Sequence, residues 1–374
     1  MFFPRVHVLT LPLLAAGWLF SMSLFAAPTV AVLQDNLDHP WSLAFLPDDQ
    51  GLLLTERSGQ LRHWQAEKGL SAPIDGVPAV FARSQGGLLD VVLSPNFRQD
   101  RRVYLSYAES GPEGLAGTTA GFGVLSDDMR RLSNFTVIFR QLPKRSTGAH
   151  FGGRMAFDPQ GHLFIALGEN QQRMLAQDLG SLQGKLVRLT PEGEVPADNP
   201  FVNHSGARPE IWSYGLRNPQ GLALNPWSGD IWESEHGPRG GDEVNIPQPG
   251  ENYGWPLATY GIDYSGQKIP EFQGTKVDGT ANPVYYWKVS PAISGMAFYN
   301  SGRFSAWRHS LFIGALAGTS LIRLSLEGDR VVSEERLLMD RGERIRDVRV
   351  GPDGYLYVLT DQDNGKLLKI GLTE

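Results

Sequence analysis

The 374-residue chain contains no cysteine. That excludes disulfides and a lipid-modified cysteine anchor, and it fits an oxidising compartment, where a stray thiol is a liability. Basic runs are also lacking, and the formal net charge is −6. Neither a nucleic acid nor an anionic membrane surface is therefore an expected partner. There is no G-x-G-x-x-G in a strand-to-helix setting, which argues against a nicotinamide cofactor. Amphipathic helical periodicity is weak, with Gln171–Leu186 the one candidate short helix.

A long apolar run occurs at the N-terminus, in MFFPRVHVLTLPLLAAGWLFSMSLFAAPTV. One Arg, an apolar stretch from Val8 and small residues at Ala26 and Ala27 predict a secretory signal peptide over residues 1–26, with the periplasm as destination. An uncleaved anchor is the alternative, because the run is about long enough to span a bilayer. Pro12 and the small-residue end favour cleavage. Removal would delete one Arg and no acid, taking the net charge from −6 to −7.

What the chain has in quantity is glycine and proline, 43 and 25 residues, which suits many short strands and tight turns. One phrase recurs six times: an apolar run, a Pro or polar stand-in, a Gly turn, a second apolar run. The copies are Ser42–Glu56, Leu89–Glu109, Arg154–Glu169, Leu222–Gly237, Gly295–Gly318 and Asp347–Asp361. Each reads as strand, turn, strand. Such repeats predict an all-β fold, a six-bladed propeller of four-stranded antiparallel blades around a central channel. Residues 27–374 are then one domain. The stretch Tyr260–Asn282 is poor in strand signals and reads as a long loop of functional type.

Polar residues precede the turn anchors (Pro47, Pro95, Pro159, Pro226, Asn300, Pro352) in five copies. They are His39, Gln85, His150, Arg217 with Asn218, and Arg344 with Arg346. Equivalent positions of successive blades surround one axis, so these side chains either ring one channel mouth or merely cap the first strand of each blade. His150 lies among glycines in TGAHFGGR and suits a general base or a strand cap. No Ser or Cys elbow for acyl transfer lies near it. Pro219 forces Asn218 to be extended, so Arg217 and Asn218 diverge and only one faces the axis. Arg344 and Arg346, two apart, point the same way on a strand. They either bind an anionic ligand or pair with Asp347 or Glu343. The segment ESEHGPRGGDEVNIPQPGENYGWP gathers Glu233, Glu235, Asp242 and Glu243 around glycines. It fits a hard-cation site using carboxylates and carbonyls, or a solvated acidic loop.

Taken together, HFGGR (His150–Arg154), WSYGLRNPQG (Trp212–Gly221), EHGPRGGDE (Glu235–Glu243) and RIRDV (Arg344–Val348) closely resemble the soluble aldose sugar dehydrogenases. These form a branch of the quinoprotein glucose/sorbosone dehydrogenase family. The resemblance runs from about Leu37 to Leu368. It implies a six-bladed propeller using pyrroloquinoline quinone (PQQ) and Ca²⁺ to oxidise the C1 hydroxyl of aldose sugars to aldonolactones. His150 would be the general base, with Arg217 and Asn218 beside the reacting quinone carbonyl and PQQ taking the hydride. The cofactor contacts it implies are Gln85, His150, Arg217, Asn218, Tyr264, Ala315, Leu316, Ala317, Arg344 and Arg346. The carbonyls of Gly237 and Pro238 would hold the calcium on PQQ, and Glu243 and Tyr253 a structural calcium. Electrons would pass to an external acceptor, from a monomer or homodimer. Two departures stand out: Ala317 replaces a family lysine, and Ala149 replaces an acid before His150, leaving the imidazole's orienting partner unidentified. The rival readings are a calcium-dependent lactonase, which needs no paired arginines, and a noncatalytic sugar- or protein-binding propeller.

Overall fold

A computed structural model describes residues 1–2 and 27–373; the expected signal peptide lies almost wholly outside the described residues. Six four-stranded antiparallel sheets surround a central axis. Their inner strands are Pro40–Phe45, Leu88–Leu93, Gly152–Phe157, Pro219–Leu224, Ile293–Tyr299 and Ile345–Val350. Each touches the next, and the last touches the first, which closes the ring. Blades 1 to 6 take their numbers from these strands in order. The predicted six-bladed propeller is thus the observed fold.

Blade 6 is completed from the other end of the chain. Strand Pro28–Leu37 pairs antiparallel with Gly365–Leu372 as the outermost strand of that sheet.

A blade has two faces and cannot cover both alone, so each packs against its neighbours. Six apolar clusters fill the six gaps between blades. Between blades 6 and 1, for example, Leu43, Leu52 and Leu54 meet Tyr357, Leu359 and Leu367. This explains the near-continuous apolar second strands, such as Leu163–Leu167 and Leu356–Thr360, which are buried along their whole length. Each fully buried Leu or Val contributes about 1.5–3 kcal/mol relative to exposure.

The axis is plugged by charge rather than by apolar packing. Arg154 is fully buried and stacks 4.0 Å from the Trp41 ring centre. It pairs with Asp90 (3.3 Å) and Asp347 (3.1 Å) and donates to the carbonyls of Gln220 (2.8 Å) and Arg346 (3.1 Å). Those contacts tie blades 1, 2, 4 and 6 to blade 3 beneath one channel mouth.

One local expectation changes and one is met. The stretch Gln171–Leu186 is not a helix; it holds only the short 3₁₀ turn Arg173–Ala176 and the start of strand Lys185–Leu189. Within that stretch Lys185 donates to the carbonyls of Leu175, Ala176 and Gln183. The loop expected over Tyr260–Asn282 is present and carries no strand. Among the described residues no helix is long and apolar enough to cross a membrane.

Candidate active site

His150 precedes the inner strand of blade 3 with φ +54, a left-handed conformation uncommon for a non-glycine residue. Neighbours hold it there. Gln85 Oε1 accepts the His150 N–H (2.9 Å), and Asn170 Nδ2 donates to the His150 carbonyl (3.0 Å). That carbonyl also abuts Gly168, where any Cβ would collide with it. The imidazole Nδ1 lies 3.0 Å from Oε1 of Glu169, a carboxylate only 2% exposed. The second Glu169 oxygen accepts the N–H of Gln171. A carboxylate can only accept, so Nδ1 carries the proton and Nε2 is left as a lone-pair site. Glu169 is the orienting partner that the sequence did not reveal. It sits 19 residues away, at the end of the adjacent strand, where no spacing rule points to it.

Arg217 and Asn218 diverge as Pro219 requires. Asn218 lines the main cleft. Arg217 turns aside, donating through Nη1 to the carbonyls of Gly237 (2.7 Å) and His236 (3.2 Å), 5.3 Å from the Trp255 ring centre. Its Nε is buried without a partner. Buried Glu235 fixes the backbone here, its Oε2 accepting the N–H groups of Arg217 (2.5 Å) and Asn218 (3.2 Å). His236 Nε2 bonds the Ile293 carbonyl. Burial, then the nearby Arg217 and Arg346, push this imidazole down to about 3, so it stays neutral.

The cleft at this mouth has a cavity volume of about 180 Å³, below the roughly 300–1,000 Å³ typical of small-molecule sites. Gln85, Asn218, His236, Leu316, Arg344, Arg346, Asp361 and Arg57 are among its walls, with Trp41 and Phe151 supplying aromatic surface. Arg344 and Arg346 do face the same way. Their shared anion is neither Asp347 nor Glu343 but Asp361, whose Oδ2 accepts from both (3.3 and 2.7 Å). Asp347 serves Arg154 and Arg349 instead, and Glu343 serves Arg341 and Lys366. Burial raises the Asp361 carboxyl, but Arg346 and Arg344 outweigh it and hold it at about 2.

Other expected contacts fall elsewhere. His39 pairs with Asp38 and Asp363 beside a second, neighbouring cleft. Tyr264 is 70% exposed and outside the cleft lining. Ala315 is buried, and Ala317 is exposed in the turn after it, with no charge to offer.

Behind Arg217 lies an acidic pocket. Glu233, Glu235 and Glu243 are buried on adjacent strands of blade 4, with Glu235 directly opposite Glu243 and Glu233 opposite Asn245. Burial and mutual repulsion push Glu233 and Glu243 well above the usual carboxyl range, and burial pushes Glu235 to about 7. Glu233 Oε1 and Asn245 Oδ1 have no partner. Tyr253 commits its hydroxyl to Ile246 and Gln248, leaving only backbone oxygen to offer. At Gly237 a Cβ would fill a cradle formed by the carbonyl oxygens of Gly240 and Gly241. Among the described residues no three acid or imidazole side chains converge on one point. A cation here would therefore draw on backbone oxygens as well, which is the donor set calcium accepts.

The chain matches the Glucose / Sorbosone dehydrogenase family over residues 37–369. It is 65% identical to the aldose sugar dehydrogenase YliI of Escherichia coli K12, across 94% of this chain and 95% of that protein. The apo crystal structure of the soluble E. coli aldose sugar dehydrogenase superposes with a TM-score of 0.92 at 64% identity, covering 93% of this chain and all of that one. The PQQ-bound aldose sugar dehydrogenase of Streptomyces coelicolor superposes at 0.75 with 29% identity, covering 92% and 99%. This chain is a member of the glucose/sorbosone dehydrogenase family.

Proposed function

We propose that the protein is a periplasmic, PQQ- and Ca²⁺-dependent dehydrogenase that oxidises the C1 hydroxyl of aldose sugars to the lactone. The observation that carries this reading is the oriented imidazole of His150, which is not itself in the cleft lining but lies one residue before Phe151 in the wall of an arginine-lined cleft. The residues fit the cofactor. Arg344 and Arg346 present guanidinium groups to a cleft with aromatic walls, and Arg346 Nε and Asp361 Oδ1 are buried without partners. Carboxylates of a flat tricarboxylate would find forked donors there. The Gly237 turn and the Glu243 pocket fit calcium by their oxygen-only donors. When bound, PQQ with its calcium supplies a two-electron acceptor that no side chain can provide.

The chain's own part is proton management. His150 Nε2 takes the C1 hydroxyl proton while Glu169 steadies the imidazolium through Nδ1. Arg217 lies outside the lining of that cleft and holds the His236 and Gly237 carbonyls, fixing the turn behind it. A lactonase would have no use for the paired arginines. The N-terminal leader carries the periplasmic assignment.

Chain prepared without cofactor, then supplied with PQQ and Ca²⁺, should oxidise hexoses or pentoses with an artificial electron acceptor. Saturable PQQ binding without turnover on any sugar of the panel would sink the reading. A sharper expectation concerns Glu169→Gln. It keeps the shape but lets the amide stabilise the wrong tautomer, so kcat should fall on the order of 10²-fold or more. A kcat within a few-fold of the parent would remove Glu169 from the mechanism.

A further inference from the structure

Arg57 follows the second strand of blade 1, and its backbone is fixed. Its N–H donates to the His39 carbonyl (3.2 Å), and its own carbonyl accepts from Leu88 N–H (3.2 Å). Gly87 makes the room: it sits at φ +146, and a Cβ there would collide with the Arg57 carbonyl and press on its Cγ. The arginine stem thus runs against the same segment that carries Gln85. From there it reaches two clefts, the main one and the second one beside His39.

Its commitments differ from those of the other cleft arginines. Arg344 and Arg346 both bond Asp361, and Arg346 also bonds Gln220. The Arg57 guanidinium makes no hydrogen bond or ion pair among the described residues, although its charge helps lower the Asp361 carboxyl. Asp361 does not bond Arg57: its Oδ2 is shared by Arg344 and Arg346 and its Oδ1 has no partner, and the cleft holds three arginines against this one carboxylate. Like charges gathered in a partly dry cleft repel unless an anion joins them.

We propose that Arg57 is a third guanidinium anchor of this cleft, engaging a carboxylate of a planar polycarboxylate ligand. The ligand is PQQ if the function proposed above holds, and the inference rests on that reading. The ligand would then be clamped between blade 1 and blade 6, rather than by blade 6 alone.

The test is a PQQ titration of cofactor-free protein at saturating Ca²⁺, followed by quenching of tryptophan fluorescence, since Trp41 lines the cleft. R57A should raise Kd about ten- to a hundredfold, the worth of a charge-assisted hydrogen bond. R57K keeps the charge without the fork and should recover part of the loss. Raising salt from low to about 1 M should narrow the gap between parent and R57A. The melting temperature of cofactor-free R57A should match the parent. If the parent binds PQQ and R57A binds it equally well, the Arg57 assignment falls while the functional reading stands. If the parent shows no saturable PQQ binding, both fall. Weak binding that R57K does not improve, with a lowered melting temperature, would make Arg57 a structural residue and overturn the proposal.

Discussion

His150→Ala is expected to lower kcat by roughly 10²–10⁴-fold, the usual worth of a positioned general base, while leaving PQQ affinity near that of the parent. The two outcomes separate because the His150 backbone, not its ring, bonds Gln85 and Asn170. Alanine keeps those hydrogen bonds. It must still adopt φ +54, so a modest loss of stability is expected, on the order of 1 kcal/mol. The variant also leaves Glu169 buried beside a void. A water can fill it and act as a weak base, which sets the residual rate. The measurement is steady-state turnover on one aldose at saturating cofactor, alongside the titration. Activity within a few-fold of the parent would show that another group takes the proton.

Glu243→Gln should abolish most of the Ca²⁺-dependent rise in melting temperature. An ion that binds only the folded state stabilises by RT ln(1 + [L]/Kd), ~2.7 kcal/mol at a hundredfold excess over Kd. Removing one ligand charge from the Glu233–Glu235–Glu243 pocket weakens that term directly. The pH dependence gives a second check. In metal-free protein the folded-state values of these carboxyls are raised, Glu235 to about 7. The stability they contribute is therefore full below the ordinary carboxyl range and is lost as pH rises through the folded values. Calcium needs the ionised forms, so its effect grows over the same interval. The parent should lose stability between about pH 5 and 8 without Ca²⁺ and regain it with Ca²⁺. Without Ca²⁺ at pH 8, Glu243→Gln should melt no lower than the parent, because the amide carries no charge to bury. Equal Ca²⁺-dependent gains in both proteins would remove Glu243 from the metal site. If instead Glu243→Gln melts like the parent at every Ca²⁺ concentration yet is inactive, Glu243 belongs to the catalytic ion.

The blades were legible because their chemistry is local. Strand, turn and strand lie within about twenty residues, and Pro and Gly mark the turns. The divergence of Arg217 and Asn218 was legible for the same reason, since Pro219 alone dictates it. The partners of the site side chains were not. Glu169 and Asp361 each follow the second strand of the same blade as the residues they serve, where only the pairing register decides which side chains meet. Arg57 of blade 1 shares a cleft with them only because the ring closes against blade 6. His39 shows the converse. It occupies the expected position before its strand, yet the neighbouring Asp38 and Asp363 draw its ring away from the main cleft. Arg154 belonged to a recognisable segment, but nothing in HFGGR says that its guanidinium seals the axis.

The clasp of blade 6 makes the ring a circle that only the finished chain can close. Asn36 N–H reaches Asn364 Oδ1 across 328 residues, in the same sheet where Pro28–Leu37 pairs with Gly365–Leu372. Joining ends that far apart costs on the order of 5 kcal/mol of chain entropy. Until the two strands meet, Gly365–Leu372 presents a bare edge, open to pairing with another chain. The clasp strand Pro28–Leu37 begins just beyond the expected cleavage point near Ala26. A chain exported N-terminus first would hold that opening strand in waiting until the last blade arrived. Failure to close would then leave that bare edge free to pair with another chain.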